Sequence, residues 1–423
     1  QPGAAAGAIL DALPPAMRAL VAEVLARNPD VARARHAAAA ALSRLPQARG
    51  LEDPRATLQV FPLPPETRAG PQRVMASASQ KLPWRGKRRL RAEAASHAAE
   101  AARLRIEAEA LRVLTEGRRL LYELAFLERL HAILDEERLH FMRHEEAARA
   151  RYVAGVGLQQ SVVKIQAAIT RAETELLALE SRQESLRAAF NALRDLPAGE
   201  PFTPPPLPAP DELPQLDAAT LLDGARARRP ELLAAAAEIA GAASRVELAA
   251  KDFRPDVTVG LGYTVVDRRR DRAARLNPPE DDGDDVLMLS GSVNLPIYRG
   301  RLEAALEERL ALERSAAADQ RRAEAAIAAA IGEHAARLPL LYRQWQLLDG
   351  VLLAQAEEAL RSAESAYATG ELGALDLLDA EHVLFEVRTA RDRVRADYAV
   401  ACARLERAIA APLAAVQAQE PTP

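Results

Sequence analysis

Along most of the chain apolar residues recur at three- and four-residue steps. Leu120, Leu124 and Leu127 show this, as do Leu341, Trp345, Leu348 and Leu352, and the period predicts amphipathic helix. In four short places the period falls to two. Val257, Val259, Leu261, Tyr263 and Val265 alternate with Thr258, Gly260, Gly262 and Thr264, which predicts a strand with one apolar face and one face of small residues. The four strand-like runs cover about 56–61, 73–82, 256–266 and 286–295. Three of them have about ten residues, the length of a tilted strand crossing a bilayer, and the alternation suits one face toward lipid and the other toward a lumen. Four strands cannot close a barrel, and lipid tolerates no open sheet edge, so a membrane reading demands an oligomer.

These elements recur in a fixed order, which marks an internal repeat. Asn28-Pro29-Asp30-Val31 matches Arg229-Pro230-Glu231-Leu232. Leu82-Pro83-Trp84-Arg85-Gly86-Lys87 matches Leu295-Pro296-Ile297-Tyr298-Arg299-Gly300-Arg301, and Tyr152-Val153-Ala154-Gly155 matches Tyr367-Ala368-Thr369-Gly370. The first repeat spans 1–196 and the second 215–410, with a tail at 411–423. Each opens with a helix, about 15–45 and 218–251, and continues through its strand pair into a long helical hairpin, 87–193 and 301–409. The hairpin tips fall at about 152–161 and 367–376. From Lys87 to Tyr152 there is no proline and only one glycine, Gly117, and from Arg301 to Tyr367 the only proline is Pro339. At 1.5 Å per residue each outgoing stretch would reach roughly 100 Å, far beyond a globular helix.

Between the repeats, 197–214 holds Pro201, Pro204, Pro205, Pro206, Pro208 and Pro210, so it reads as an extended connector and, by composition, as a simple spacer. The second copy also carries a longer insertion, 267–285. There Arg268, Arg269, Arg270, Arg272 and Arg275 precede Glu280, Asp281, Asp282, Asp284 and Asp285, and so polar a loop belongs in water.

Composition narrows the classes. The 423 residues are 27% charged but only 4% aromatic, which favours long helices over an aromatic-rich sandwich. A net charge of −4 speaks against a globally basic nucleic-acid binder. No run of about 18 apolar residues offers a membrane-spanning helix, whereas an alternating barrel strand keeps hydropathy low. Gln1 is followed by no signal-peptide pattern, so either a targeting peptide has been removed or none existed. The only cysteine, Cys402, forms no intrachain disulfide or cysteine-based zinc cluster and lies far from any lipoprotein-type anchor.

Helix, strand pair, Arg-Gly, long helix, Tyr-x-x-Gly break and returning helix, in duplicate, resemble the TolC-type outer-membrane efflux channels over nearly the whole chain. The sharpest stretch is Tyr367-Ala-Thr-Gly-Glu-Leu-Gly-Ala-Leu-Asp-Leu-Leu-Asp-Ala380, similar to the family's helix-turn at the periplasmic tip. The resemblance implies a mainly α fold with a β-barrel portion. Three chains would give four strands each to a 12-stranded transmembrane barrel, continuous with a periplasmic α-barrel of the helical hairpins. It implies a Gram-negative outer membrane, an extension into the periplasm, a periplasmic adaptor protein and an inner-membrane pump of the RND type. Ser79-Gln-Lys-Leu-Pro-Trp-Arg-Gly-Lys-Arg88 looks most like the heavy-metal cation-efflux branch, although Met and His are scarce.

Placed on that frame, Asp376 and Asp379 share one helix face near the narrow end. Three-fold symmetry would make each a ring of carboxylates, which filters by sign and favours cations. The family uses acidic rings at these matching positions; on sequence alone an Asp pair on a helix is solvated surface. Ser161 and Lys164 stand at the matching positions of the first repeat. Some relatives latch the closed tip with acid–base contacts between repeats, and Leu372 stands where a base can occur; Lys164 facing Asp379 is a candidate substitute. Gly155, Gly157 and Gly370 permit the tip turns. Tyr152, Val156, Leu158, Tyr367, Glu371, Leu372 and Gly373, with those glycines, form the candidate adaptor-docking tips, or plain hairpin turns. Trp84 and Tyr298 are candidates for a membrane-interface belt, and Lys81, Arg85, Lys87, Arg88, Arg89 and Arg91 for contact with anionic headgroups.

His140 and His144, one helical turn apart and near Met142 and Glu145, have a spacing that suits a metal; a solvated helix face is the plainer reading, so no metal or cofactor is assigned. No nucleophile–base constellation, P-loop or dinucleotide fingerprint occurs, and no enzyme is expected. The expected function is a passive conduit in a tripartite efflux system. The alternatives are the outer-membrane channel of a type I protein secretion system and a soluble coiled-coil scaffold.

Overall fold

The first breaks in the fold are set by proline. In the computed structural model, which describes residues 3–211, 216–272, 276–277 and 279–417, α1 spans Ala4–Asp11, α2 Pro15–Arg27 and α3 Pro29–Arg49. Arg275 of the insertion, residues 212–214 at the connector end with Pro214, residue 215 and residues 418–423 of the tail lie outside the described residues. The single helix expected over 15–45 is broken at Asn28, whose ψ of 126° is extended. A residue before proline is pushed out of the helical region, and the Asn28 side chain then accepts from the backbone N–H groups of Asp30 and Val31 at 3.0 and 3.2 Å to start α3. Arg229 before Pro230 is likewise extended, with a ψ of 116°, and breaks the chain between α6, Ala218–Arg228, and α7, Pro230–Lys251. Helix α1, which the sequence reading did not anticipate, buries Ala6 and Ile9.

Five strands form one antiparallel sheet: β1 Arg55–Val60, the stub β2 Glu66–Thr67, β3 Gly70–Leu82, β4 Val257–Val266 and β5 Val286–Val293. The order β1-β3-β4-β5 joins the strand pair of one repeat to that of the other. Then come α4, Lys87–Val153, and α5, Gln159–Leu193, in the first repeat. Their counterparts are α8, Arg299–Leu347, a π-helical turn, Leu348–Leu352, α9, Leu353–Thr369, and α10, Ala374–Ile409. A short α11 covers Leu413–Gln417. The π-turn interrupts the helix expected from 301 to 367; it contains Gly350, and Arg391 of α10 reaches Asp349 at 3.6 Å. No helix among the described residues is long and apolar enough to cross a membrane.

Contacts divide the chain into two compact units, and each draws on both repeats. One holds residues 1–36, 103–233 and 321–423; the other holds 37–102 and 234–320, including the whole sheet. The first unit has two main apolar clusters. Val24, Leu111, Leu114, Leu121 and Phe190 anchor one, with Ala396, Ala399 and Ala403. Ile331, Leu338, Leu405 and Ile409 anchor the other. Small residues let the helices approach closely while the larger side chains fill the seams. Arg118 and Glu406 form a buried ion pair between α4 and α10, and Glu406 also accepts from the backbone N–H of Leu413 at 3.0 Å. Burial, with Glu406 adding its charge, pushes the nearby Cys402 thiol up to about 12, so it stays protonated near neutral pH.

The connector is extended, as its prolines require, but it is strapped down rather than a loose spacer. Pro204, Pro205, Leu207 and Pro210 are buried. Arg395 of α10 donates to the Leu207 carbonyl at 2.7 Å, and Tyr398 donates to the carbonyl of Asp211 at 2.5 Å. Phe202 packs on Phe190 with ring centres 4.7 Å apart.

Candidate functional site

The sheet sorts its side chains by chemistry. Residues paired directly across antiparallel strands share a face. Leu58 pairs with Ala76, Ala76 with Tyr263 and Tyr263 with Leu287, while Ala78, Leu261 and Leu289 form the neighbouring row. The other face carries Thr57, Ser77, Gly262 and Met288, then Ser79, Gly260 and Ser290, then Lys81, Thr258 and Ser292. The apolar row is not covered by the chain itself: Leu58, Leu261, Tyr263 and Leu287 are exposed and Leu289 is 84% exposed. β1 and β5 pair on one side only among the described residues, so each end of the sheet presents an open edge of backbone donors and acceptors.

At one end of the sheet the polar insertion is tied to the β2–β3 turn. Gly283 donates to the Ala69 carbonyl at 2.7 Å, the Arg269 N–H donates to Asp282 at 2.9 Å, and Arg73 pairs with Asp267 at 2.7 Å. Arg68 pairs with Asp281. At the other end, Gly86 adopts φ +93°, a backbone region open to glycine, and turns the chain from β3 into α4. Lys87, which follows, is only 2% exposed. Its ammonium lies 2.9 Å from Asp256 and 3.0 Å from Asp252, and Asp256 also accepts the Trp84 backbone N–H at 2.8 Å. Lys87 is therefore not available to headgroups. A buried ammonium needs its charge matched, and here it fastens the start of α4 beneath β4. Arg88 is spent on the Arg49 carbonyl and Arg89 on Glu93. Trp84 and Tyr298 are both exposed, as a belt would require.

The two hairpin tips close differently. After α4, Gly155 turns at φ +76°, and at Gly157 a Cβ would meet the Tyr152 nitrogen at 2.9 Å, so only glycine fits there without a shift. After α9, Gly370 caps the helix at φ +85° and its N–H bonds back toward Tyr367. The Tyr367 ring lies under the Arg151 guanidinium at 4.6 Å, which joins one tip to the other, and Phe141, Val162, Ile165 and Ala374 pack alongside. The first tip leaves Val156 77% and Leu158 70% exposed, with Tyr152 also exposed. Glu371 and Gly373 are exposed and Leu372 half-buried.

Asp376 occupies the first turn of α10, where a helix N-terminus favours a carboxylate. Asp379 follows one turn on, and both are exposed, as is Lys164; Ser161 is half-buried. Among the described residues Lys164 makes no ion pair with Asp379. His140 and His144 do not lie on a freely solvated face: both bond to Glu381 of α10, which is 0% exposed. The histidine spacing was legible. Glu381, more than two hundred residues away, had no sequence signal of its own. Among the described residues this is the one grouping of at least three His, Cys, Asp or Glu side chains arranged to hold a metal ion.

Residues 221–411 match the protein family described as outer membrane efflux protein, a span that includes the Tyr367–Ala380 stretch. No curated protein matches the sequence. Among solved structures, the outer membrane protein VceC of Vibrio cholerae is similar at a TM-score of 0.76 and 21% identity, over 94% of this chain and 96% of that one. The open state of the MtrE outer membrane channel of Neisseria gonorrhoeae gives 0.75 at 20%, over 94% and 90%. CusC, known from structures that describe its folding and transmembrane channel formation, gives 0.75 at 16%, over 93% and 92%. At these identities the likeness shows the fold, which is that of the outer-membrane channels.

Proposed function

We propose that three copies of this chain, whose second repeat matches the outer membrane efflux protein family, form a passive conduit through a Gram-negative outer membrane. The observation that carries this reading is the sheet: four main strands, apolar on one face and small or polar on the other, with two open edges. Three such sheets joined edge to edge give a 12-stranded barrel, which leaves lipid no unpaired backbone and keeps the small, polar face for the lumen. The helical hairpins form the periplasmic wall. The exposed Tyr152, Val156 and Leu158 supply an apolar tip for a periplasmic adaptor, through which an inner-membrane pump of the RND type provides the energy. Trp84 and Tyr298 sit at the lipid boundary. The likeness of Ser79–Arg88 to the heavy-metal branch supports small cations among the cargo. The chain itself performs no chemistry.

In this reading Asp376 and Asp379 form two carboxylate rings at the narrow entrance, with Ser161 and Lys164 beside them. Both aspartates are exposed and, among the described residues, neither forms an ion pair, which supports that role. In planar bilayers the wild-type channel is expected to prefer cations, and the Asp376→Ala, Asp379→Ala double variant to lose that preference severalfold while conducting more. Unchanged conductance and selectivity in the double variant would overturn the gate.

A further inference from the structure

We propose that His140, His144 and Glu381 form a binding site for one borderline divalent cation, best matched by Zn²⁺, that clamps α4 of the first hairpin to α10 of the second. This stands on the geometry of a single protomer and does not depend on the channel reading. His140 and His144 are four apart on α4 and so share a face. Glu381 lies opposite, with its Oε1 2.7 Å from His140 Nδ1 and 2.8 Å from His144 Nε2. The three donor atoms all fall within 4.8 Å of one another.

The carboxylate is what points to a cation. Glu381 is completely buried, and its second oxygen, Oε2, has no hydrogen-bond partner. Two imidazoles directed at one oxygen leave the other unsatisfied, which is costly in a buried site. A cation seated between the three groups would draw on the same nitrogens as lone-pair donors and engage either carboxylate oxygen. Zinc–nitrogen and zinc–oxygen bonds of about 2.0–2.2 Å place tetrahedral donors roughly 3.4 Å apart. The present contacts would thus open by about 0.6 Å on loading, within reach of side-chain rotation.

Two imidazoles and one carboxylate suit Zn²⁺ and its neighbours in the first row, whereas Ca²⁺ and Mg²⁺ prefer all-oxygen shells. The supporting shell is already in place. The Phe385 ring stands edge-on to His140 at 5.6 Å, fixing that imidazole from the α10 side. One turn away His382 of α10 approaches Glu137 of α4 at 3.4 Å, and Arg388 pairs with Glu136 at 3.0 Å. Burial pushes the Glu137 carboxyl pKa up from its ordinary value, against the lowering by His382. Entry is open: both imidazoles are partly exposed, and His140 lines a cavity of about 870 Å³ with Met142, Glu145 and Glu146. A water from that cavity completes the fourth position. His144 lies nine residues before the end of α4 at Val153, about 14 Å of helix, so the clamp joins the two hairpins close to their tips.

The full chain, purified in detergent without a polyhistidine tag and stripped with a chelator, is titrated with Zn²⁺ by calorimetry and with Co²⁺ by visible absorption. The expected result is one Zn²⁺ per chain, a four-coordinate Co²⁺ spectrum and a higher melting temperature on loading. His140→Asn with His144→Gln should abolish binding, and Glu381→Gln should weaken it at least tenfold. Circular dichroism and the melting of the metal-free forms establish that the variants fold. If the histidine variant does not fold, Glu381→Gln and the wild-type Co²⁺ spectrum decide. Wild-type protein that binds no Zn²⁺, a six-coordinate Co²⁺ spectrum, or undiminished binding by a folded variant would overturn the site and leave a hydrogen-bonded triad.

Discussion

Lys87→Met is expected to destabilise the protein by about 3–5 kcal/mol, the cost of leaving a buried partner charge unpaired. Methionine keeps the length and nearly the volume of lysine, so the packing beneath β4 survives and the charge is the main change. Asp256 is then left 8% exposed, with the Trp84 N–H and the Asn294-bonded backbone around it but its close ammonium gone. Lys81, at 3.8 Å and half-exposed, compensates weakly. Asp252 is half-exposed and is rehydrated at little cost. The double variant Lys87→Met, Asp256→Asn should recover most of the loss, because the uncompensated charge goes with its partner. Unfolding of the purified protein in detergent reads both effects. A single variant within about 1 kcal/mol of wild type would show that the pair does not fasten α4 to β4.

Gly70→Ala is expected to cost about 3 kcal/mol or more, near the upper end of single-residue effects. Gly70 sits at φ +124°, where a side chain is strained, and an added Cβ would lie 1.8 Å from the Asp267 carbonyl oxygen. The neighbour is backbone at the end of β4, which cannot rotate away as a side chain would. Relief requires parting the β2–β3 turn from the insertion, and that strips the Gly283–Ala69 bond and the pairings of Arg73 with Asp267 and Arg68 with Asp281. Gly199, with nothing within 4 Å of its Cβ position, is the control, and its alanine variant should stay within about 0.5 kcal/mol. Limited proteolysis of the 267–285 loop would report the detachment. Equal resistance in the Gly70 variant and wild type would contradict it.

The parts of the fold that were legible in the sequence are those written in periods. The alternation from Val257 to Val265 and the three- and four-residue spacing around Leu120 each depend on near neighbours, and β4 and α4 contain those residues. Asn28-Pro29 and Arg229-Pro230 served as landmarks of duplication, yet the same prolines also break the first helix of each repeat, a local rule that the long helical pattern concealed. The π-turn at Leu348–Leu352 adds a residue to a helical turn without altering the apolar spacing enough to announce itself. Contacts across the repeats were the least legible. Lys87 read as one cation among six because its acid, Asp256, lies 169 residues on. His140 and His144 read as surface because Glu381 comes from the other hairpin. The connector read as a spacer because composition does not reveal that Arg395 and Tyr398 of α10 hold its carbonyls.

The central claim is that this sheet is one third of a closed barrel, and the mass of the protein extracted from outer membranes into detergent tests it most directly. Three chains per particle, held together only while detergent covers the apolar face of Leu58, Leu261, Leu287 and Leu289, is the predicted result. A monomer or dimer that remains dispersed without detergent would contradict it and leave a soluble helical scaffold in its place.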